Sequence, residues 1–221
     1  MKGIITIITL MGIFQINTAQ SLKTVSYEDG TQKLNGLVTS NAGQQLPGVL
    51  ILPAWKGADN EARTAALDLE KEGYIAFIAD IYGEGNTPDD NAAAAKLSSS
   101  YKNDYKAYQH RIALALDQLK EQGALANKIA VIGYCFGGTG ALEAARAGFE
   151  VQGVVSIHGR LSSLLNPPWI DTTPCTSNPA RAASKAPVPP KQYPITAILL
   201  ANAPCSFNWS RAKAIRCWYA L

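Results

Sequence analysis

The sequence predicts an α/β fold in which a parallel sheet carries helices on both of its faces. Strand-like and helix-like segments alternate between residues 48 and 158, as is typical of parallel sheets. The apolar run at residues 48–52 suits a central strand buried on both faces. Hydrophobic residues make up 47% of the 221 residues, so the chain can bury a core, and its length favours a single domain.

The predicted elements begin with a hairpin. Residues 22–27 and 33–38 alternate with period two on either side of the turn signal Asp29-Gly30. After the strand at 48–52, a helix is predicted at residues 60–72 and ends at Gly73. Further strands are predicted at residues 74–79, 128–133 and 151–158, and further helices at residues 92–119, in two pieces, and 140–147.

The N-terminal residues have the features of a signal peptide. Lys2 gives a positive start, residues 4–14 are mostly apolar, and Ala19 offers a small residue for cleavage. Such a stretch is too short to cross a bilayer, which needs about 20 residues. We expect residues 1–19 to be a signal peptide, the mature chain to be secreted or periplasmic, and no membrane partner after cleavage. The alternative is a buried first strand.

Charge and cysteine spacing argue against two classes of partner. The net charge of +3 is small, and no basic run with interleaved aromatic residues occurs, so nucleic acid is not expected as a partner. The four cysteines lack the spacing of a zinc site, and we expect no metal and no organic cofactor. In an oxidising compartment, two of Cys175, Cys205 and Cys217 could form a disulfide, and the sequence does not assign the pair.

The sharpest motif is Gly-Tyr-Cys-Phe-Gly-Gly at residues 133–138, between a predicted strand and a predicted helix. Glycines two before and two after Cys135 allow a tight, strained turn that lifts a nucleophile above the sheet. The helix N-terminus that follows favours a thiolate. The Phe136 amide would be one oxyanion donor, and the loop near Trp55 would supply the second. The alternatives are a buried, inert cysteine or a phosphate-binding loop, for which the glycine pattern is wrong.

Four segments together resemble the dienelactone hydrolase family. They are Leu-Pro-Ala-Trp-Lys-Gly at residues 52–57, Ala-Asp-Ile-Tyr-Gly-Glu-Gly at 79–85, the cysteine motif, and Val-Ser-Ile-His-Gly at 155–159. The resemblance implies an α/β-hydrolase fold and a Cys-Asp-His triad that hydrolyses small esters or lactones through an acyl-enzyme. Cys135 would attack the carbonyl, and Tyr82 and Glu84 would contact substrate. Ala54 and Glu84 stand where the family has a glutamate and a substrate-binding arginine, so a generic ester is favoured over dienelactone.

The chain cannot supply the Asp and His of such a triad from their expected places. Of its two histidines, His110 precedes Cys135, and His158 ends the next strand, too early for the family's base. We interpret His158 as a loop or structural residue. The carboxylates after Cys135 are Glu143, Glu150 and Asp171. Without a base, which typically contributes about 10²–10⁴-fold, we predict weak or no turnover.

Residues 164–221 do not continue the pattern set by the predicted core at residues 20–163. Nine of the twelve prolines follow residue 163, and only residues 195–201 read as a strand. The segment is either a divergent, loop-rich tail or the product of a shifted reading frame. Back-translation of residues 201–219 with a one-nucleotide shift permits a Pro-His-Ala sequence. Either way, we expect a sheet that is incomplete at the C-terminus. A non-catalytic binding protein of the same fold is the alternative function, and a redox protein ranks last because no Cys-x-x-Cys occurs.

Overall fold

The computed structural model describes residues 21–159, and residues 196–200 by their backbone. The predicted signal peptide and most of the predicted tail lie outside these residues. The elements are β1 (Leu22–Asp29), β2 (Gln32–Thr39), β3 (Leu46–Leu52), α1 (Asn60–Lys71), β4 (Ile75–Ile78), α2 (Asn91–Asn103), α3 (Tyr105–Glu121), β5 (Ala124–Tyr134), α4 (Phe136–Ala147), β6 (Gly153–Ile157) and β7 (Thr196–Leu200).

The described strands form one sheet in the order β1-β2-β4-β3-β5-β6-β7. Strands β3 to β7 are parallel, whereas β2 runs antiparallel to both of its neighbours. The fold class predicted from the sequence is confirmed, with the correction that the sheet is mixed. The reason is the β1–β2 hairpin, in which Asp29 pairs with Gln32 across a two-residue turn that starts at Gly30 with φ of 60°.

Side-chain caps fix where three of the helices begin. Asp59, Asp90 and Asp104 each accept a hydrogen bond from the backbone amide three residues on, at 3.0, 2.7 and 3.0 Å. A cap of this kind stabilises a helix by about 1 kcal/mol. Asp104 also divides the long helical stretch, because it ends α2 and begins α3.

The core has two halves, one on each face of the sheet. On one face, α1 packs Ala62, Ala65, Ala66 and Leu69 against alternate residues of β3 and β4. On the other face, α3 and α4 pack over Leu50, Leu52 and Val131. Every other residue of β3 faces each half, as expected for a strand buried on both faces. Between residues 21 and 159, no helix combines the length and apolar character needed to cross a membrane.

Candidate active site

Cys135 occupies a strained turn between β5 and α4. Its φ of 55° and ψ of −109° lie in a region that residues other than glycine rarely adopt. Its amide donates to the Ile157 carbonyl at 2.8 Å, and its carbonyl accepts from Thr139 at 3.1 Å. The side chain is exposed. The turn therefore presents the thiol at the carboxyl edge of the sheet, at the N-terminus of α4.

Backbone contacts explain the glycines around Cys135. A Cβ at Gly133 would collide with the carbonyl of Gly137, and a Cβ at Gly137 would collide with the carbonyl of Leu52. A Cβ at Gly138 would lie 2.5 Å from the Ile157 carbonyl oxygen. All three obstacles are backbone atoms of strands or of the turn itself, so they cannot move aside. Helix α4 can therefore pack onto β3 and β6 only if glycines occupy these three positions.

The loop after β3 lies close to the turn at residues 133–138, which carries the predicted nucleophile Cys135 and is called the nucleophile turn below. The Tyr82 hydroxyl donates to the Trp55 carbonyl at 3.0 Å. The Tyr82 ring also stacks on the Phe136 ring, with centroids 5.5 Å apart and planes 22° apart. Cys135 makes no side-chain cap for α4, and the first amides of a helix have no acceptor within it. Trp55 and Phe136, the two residues predicted to donate to an oxyanion, are therefore joined by one tyrosine.

A cleft of about 450 Å³ opens beside this turn. Its lining includes Phe136, Ala54, Tyr82 and Glu84. Tyr82 is only 6% exposed, so its ring forms part of the wall, whereas Glu84 is exposed at the rim. Burial, and to a smaller extent Tyr101 and Cys135, raise the pKa of Tyr82 well above its ordinary value. Its hydroxyl therefore stays protonated and keeps donating to Trp55.

Asp80 holds the loop at residues 80–85 in place. Its carboxylate accepts from the amides of Asn35 at 2.9 Å and Gly83 at 2.8 Å. The Tyr27 hydroxyl lies 3.3 Å from the Asp80 amide and 3.4 Å from the Asp80 carbonyl. Each carboxylate oxygen thus accepts a hydrogen bond from a backbone amide, so Asp80 supports the loop.

His110 and Glu143 are engaged elsewhere. The Nε2 of His110 lies 3.0 Å from Asp29, at the hairpin turn. Glu143, on α4, is 2% exposed, pairs with Arg146, and accepts from Gln109 at 3.0 Å. Burial raises the pKa of Glu143, and the Arg146 guanidinium opposes that rise. Asp171 lies outside the described part of the chain.

His158 lies beside Cys135, which its position in the sequence does not suggest. Tyr134 and Ile157 are paired across the parallel strands β5 and β6, so Cys135 and His158 come next on each strand. His158 is exposed, has a φ of 56°, and its ring lies 5.9 Å from the Tyr134 ring at an angle of 69°. The contact shown for this imidazole is thus with Tyr134. The parallel register of β5 and β6 indicates this neighbour once the two strands are known to pair.

Two aromatic residues that pack behind the turn were also not predicted from the sequence. Tyr101 and Tyr108 both pack against the Phe136 ring, at 6.5 and 4.6 Å between centroids. Both lie in helices, where apolar spacing marks them only as core residues. Among residues 21–159, no group of three or more His, Cys, Asp or Glu side chains could hold a metal ion.

Comparison with known proteins decides the family. The sequence model of the dienelactone hydrolase family matches residues 34–188. The chain belongs to the dienelactone hydrolase family. The match reaches past residue 163, and the boundary drawn there stays a prediction. A probable 2-oxo-3-(5-oxofuran-2-ylidene)propanoate lactonase from Bradyrhizobium sp. is 31% identical over 120 residues, which are 53% of this chain. The aligned segment spans 48% of that lactonase.

Solved structures agree with this assignment. A structure named m3DLH is 32% identical, with a TM-score of 0.62 over 67% of this chain and 63% of its own. A dienelactone hydrolase-like promiscuous phosphotriesterase from metagenomic libraries is 24% identical, with a TM-score of 0.65 over 92% of this chain and 77% of its own. A third, from Klebsiella pneumoniae, is 17% identical with a TM-score of 0.56 over 92% of this chain and 99% of its own. The last two support the fold alone.

Proposed function

We propose that the chain acts on small carboxylic esters or lactones, with Cys135 as its nucleophile. The observation that carries this proposal is the strained, exposed Cys135 at the N-terminus of α4. Strain of this kind persists only where surrounding structure enforces it, and it clusters at active sites. Family membership and the lactonase similarity are consistent with the same chemistry.

The proposed reaction begins when the Cys135 thiolate attacks the ester carbonyl. A bond forms between sulfur and the carbonyl carbon, and the carbonyl electron pair moves to oxygen. The amides of Phe136 and Trp55 stabilise that oxyanion. Collapse of the intermediate breaks the ester bond and expels the alkoxide, which leaves a thioester on Cys135. Water then attacks the thioester carbonyl, the carbon–sulfur bond breaks, and the carboxylic acid and the Cys135 thiol are released.

The second half of this reaction is the weak step. His110 and Glu143 have other partners, the contact shown for the His158 ring is with Tyr134, and the sequence holds no histidine after His158. Acylation by an activated ester needs only the thiolate, whereas a general base for the attacking water typically contributes about 10²–10⁴-fold. We therefore expect one fast acylation followed by slow turnover. The exposed Glu84 at the cleft rim favours a neutral substrate over an anionic one.

The first experiment is iodoacetamide labelling of the purified chain as a function of pH. Cys135→Ser is the control, because the other three cysteines remain in it. Labelling of the native chain that disappears in Cys135→Ser would support an accessible, activated thiol. A stoichiometric release of p-nitrophenol from p-nitrophenyl acetate, also absent in Cys135→Ser, would then establish acylation. Labelling that requires denaturant would contradict the proposal.

A second candidate function is ligand binding without hydrolysis. It is favoured by the engagement of His110 with Asp29 and of Glu143 with Arg146, away from the thiol. The cleft of about 450 Å³ is large enough for a small molecule. Isothermal titration with a non-hydrolysable ketone analogue of an ester, together with the absence of any acylation burst, would favour this reading.

Residues 1–19 are proposed to direct export of the chain. Their charged start, apolar stretch and small residue at Ala19 support this proposal. Expression in a bacterium, followed by N-terminal sequencing of the periplasmic and cytoplasmic fractions, tests it. Recovery of only the uncleaved chain from the cytoplasm would contradict it.

A further inference from the structure

Tyr108 lies directly behind the nucleophile turn. It is a residue of α3, and its side chain is fully buried. Its hydroxyl donates to the Phe136 carbonyl at 3.0 Å. Its ring stacks on the Phe136 ring with centroids 4.6 Å apart and planes 5° apart. One tyrosine thus holds both the ring and the carbonyl of the residue that follows Cys135.

The turn is shaped to receive this phenol. A Cβ at Gly140, one helical turn after Phe136, would collide with the Tyr108 hydroxyl. Glycine at this position therefore leaves room for the hydroxyl against the first turn of α4. Burial raises the pKa of Tyr108 well above its ordinary value of 10.0, and Tyr82, Glu143 and Cys135 add to the rise. The phenol therefore remains a hydrogen-bond donor above pH 10 as well as below it.

Tyr82 makes the corresponding contact on the other side of the site. Its hydroxyl donates to the Trp55 carbonyl, and its ring stacks on Phe136. Each carbonyl bonded by a tyrosine belongs to a residue whose amide is a predicted oxyanion donor. Fixing the ring and carbonyl of Phe136 fixes its Cα, Cβ and carbonyl carbon, and tetrahedral geometry at Cα then fixes the position of its amide nitrogen. A small displacement of such a group matters, because a shift of about 1 Å can lower the reaction rate by about 10²-fold.

We propose that Tyr108 is a positioning residue, which holds Phe136, and with it the amide nitrogen that donates to the oxyanion, in place through its hydrogen bond to the Phe136 carbonyl and its stacking on the Phe136 ring. This inference rests on the proposed function, since it assigns a role in acylation. It goes beyond the family pattern used above, because Tyr108 lies outside the four segments that carry the resemblance. Tyr108 is fully buried and its hydroxyl bonds Phe136, so we expect its effect to pass through Phe136.

Two reactions of the same thiol separate this role from a general structural one. Acylation by p-nitrophenyl acetate forms the sulfur–carbonyl bond, expels p-nitrophenolate, and passes through an oxyanion. Alkylation by iodoacetamide forms a sulfur–methylene bond and expels iodide, without placing charge on an oxygen. The ratio of the two rate constants at Cys135 therefore reports oxyanion stabilisation alone. Both rates can be measured in a single turnover, so slow deacylation does not interfere.

Tyr108→Phe removes the hydroxyl and retains the stacked ring. Loss of an entire oxyanion donor costs about 10²–10³-fold, so misaiming one should lower the acylation-to-alkylation ratio by about tenfold. Tyr101→Phe is the matched control, because Tyr101 meets Phe136 edge-on through its ring, at an angle of 61°. Its ratio should equal that of the unmodified chain. Gly140→Ala displaces the Tyr108 hydroxyl from the opposite side and should lower the ratio as Tyr108→Phe does.

The outcomes are distinct. An unchanged ratio in a folded Tyr108→Phe chain would overturn the proposal, and so would an equal fall of both rates. If Tyr108→Phe does not fold, the ratio in Gly140→Ala decides in the same way. An unmodified chain that is alkylated at Cys135 but never acylated would refute the proposed function itself, and the role of Tyr108 with it.

Discussion

The nucleophile turn at residues 133–138 and the loop at residues 80–85 border one cleft but are held in different ways. In the turn, glycines let backbone pack on backbone, as where Gly137 meets the carbonyl of Leu52. The loop is held by a side chain, because the Asp80 carboxylate accepts hydrogen bonds from the backbone amides of Asn35 and Gly83. A single added carbon at one of these glycines disrupts the packing of the turn. The loop is held by hydrogen bonds, which can be lost one at a time.

The two regions therefore have different roles in the proposed reaction. The turn fixes where the thiol stands, and its tolerance for change is small because its obstacles are backbone atoms. The loop carries Tyr82 and Glu84 into the cleft, and its outer residues have room to vary. Variation of substrate is therefore expected to arise in the loop, and loss of the reaction in the turn.

The largest effect is expected from Gly137→Ala. The added Cβ would collide with the backbone of Leu52 on β3, so α4 and β3 must separate. We expect the free energy of unfolding to fall by about 3 kcal/mol or more. Urea denaturation followed by circular dichroism measures it. Gly85→Asn is the matched control, because nothing lies within 4 Å of a Cβ there and asparagine tolerates its positive φ. Equal losses in both variants would remove the distinction between the two regions.

Asp80→Asn should produce an intermediate effect. The amide retains one acceptor oxygen, but its NH₂ group would face an amide donor of Asn35 or Gly83. Leaving one partly buried donor unsatisfied costs about 1–3 kcal/mol. We expect that loss in urea denaturation, with little change in the rate of Cys135 alkylation by iodoacetamide. A strong fall in alkylation would show that the turn depends on the loop.

Alkaline pH should act on both regions through buried phenols. Burial is the main reason that the pKa of Tyr108, behind the turn, and of Tyr27, beside Asp80, are both raised. Above the ordinary value of 10.0 the unfolded chain loses these protons and the folded chain keeps them. The free energy of unfolding is therefore unaffected by these groups below pH 10 and falls as pH rises above it.

For the fully buried Tyr108 the slope is about 1.4 kcal/mol per pH unit. Denaturation of Tyr108→Phe and Tyr27→Phe at increasing pH, with tyrosinate absorbance recorded in parallel, measures each share. A chain whose stability is flat across this range would contradict the burial of these hydroxyls.

Glu84→Gln should give the smallest change in stability. Glu84 is exposed, and its hydrogen bonds to Lys33 and Gln32 use its backbone. We expect less than about 0.5 kcal/mol. Removing a negative charge from the rim should raise the acylation rate of an anionic aryl ester relative to a neutral one by about threefold at low salt. Thr87→Ser, at the same cleft, serves as the uncharged control. An unchanged ratio of the two acylation rates would show that the charge of Glu84 does not act on the substrate.

The sequence predicted the turn well and its surroundings poorly, for a physical reason. Glycine spacing around Cys135 is a local signal, since the chain can close that turn in few other ways. The contacts of Tyr108 with Phe136 and of Asp80 with Asn35 join residues 28 and 45 positions apart. No local pattern records such contacts. The neighbour relation of Cys135 and His158 was available from parallel register, but only once β5 and β6 were known to pair.

The close approach of Gly137 to Leu52 also has a kinetic consequence. These residues belong to distant parts of the chain, so their contact requires β3 and β5 to have paired already. Contacts between distant segments form slowly during folding because closing the intervening chain costs entropy. Cys135 can reach its strained conformation only after that event. Its reactivity toward a thiol reagent, sampled during refolding, would therefore report when β3 and β5 have paired.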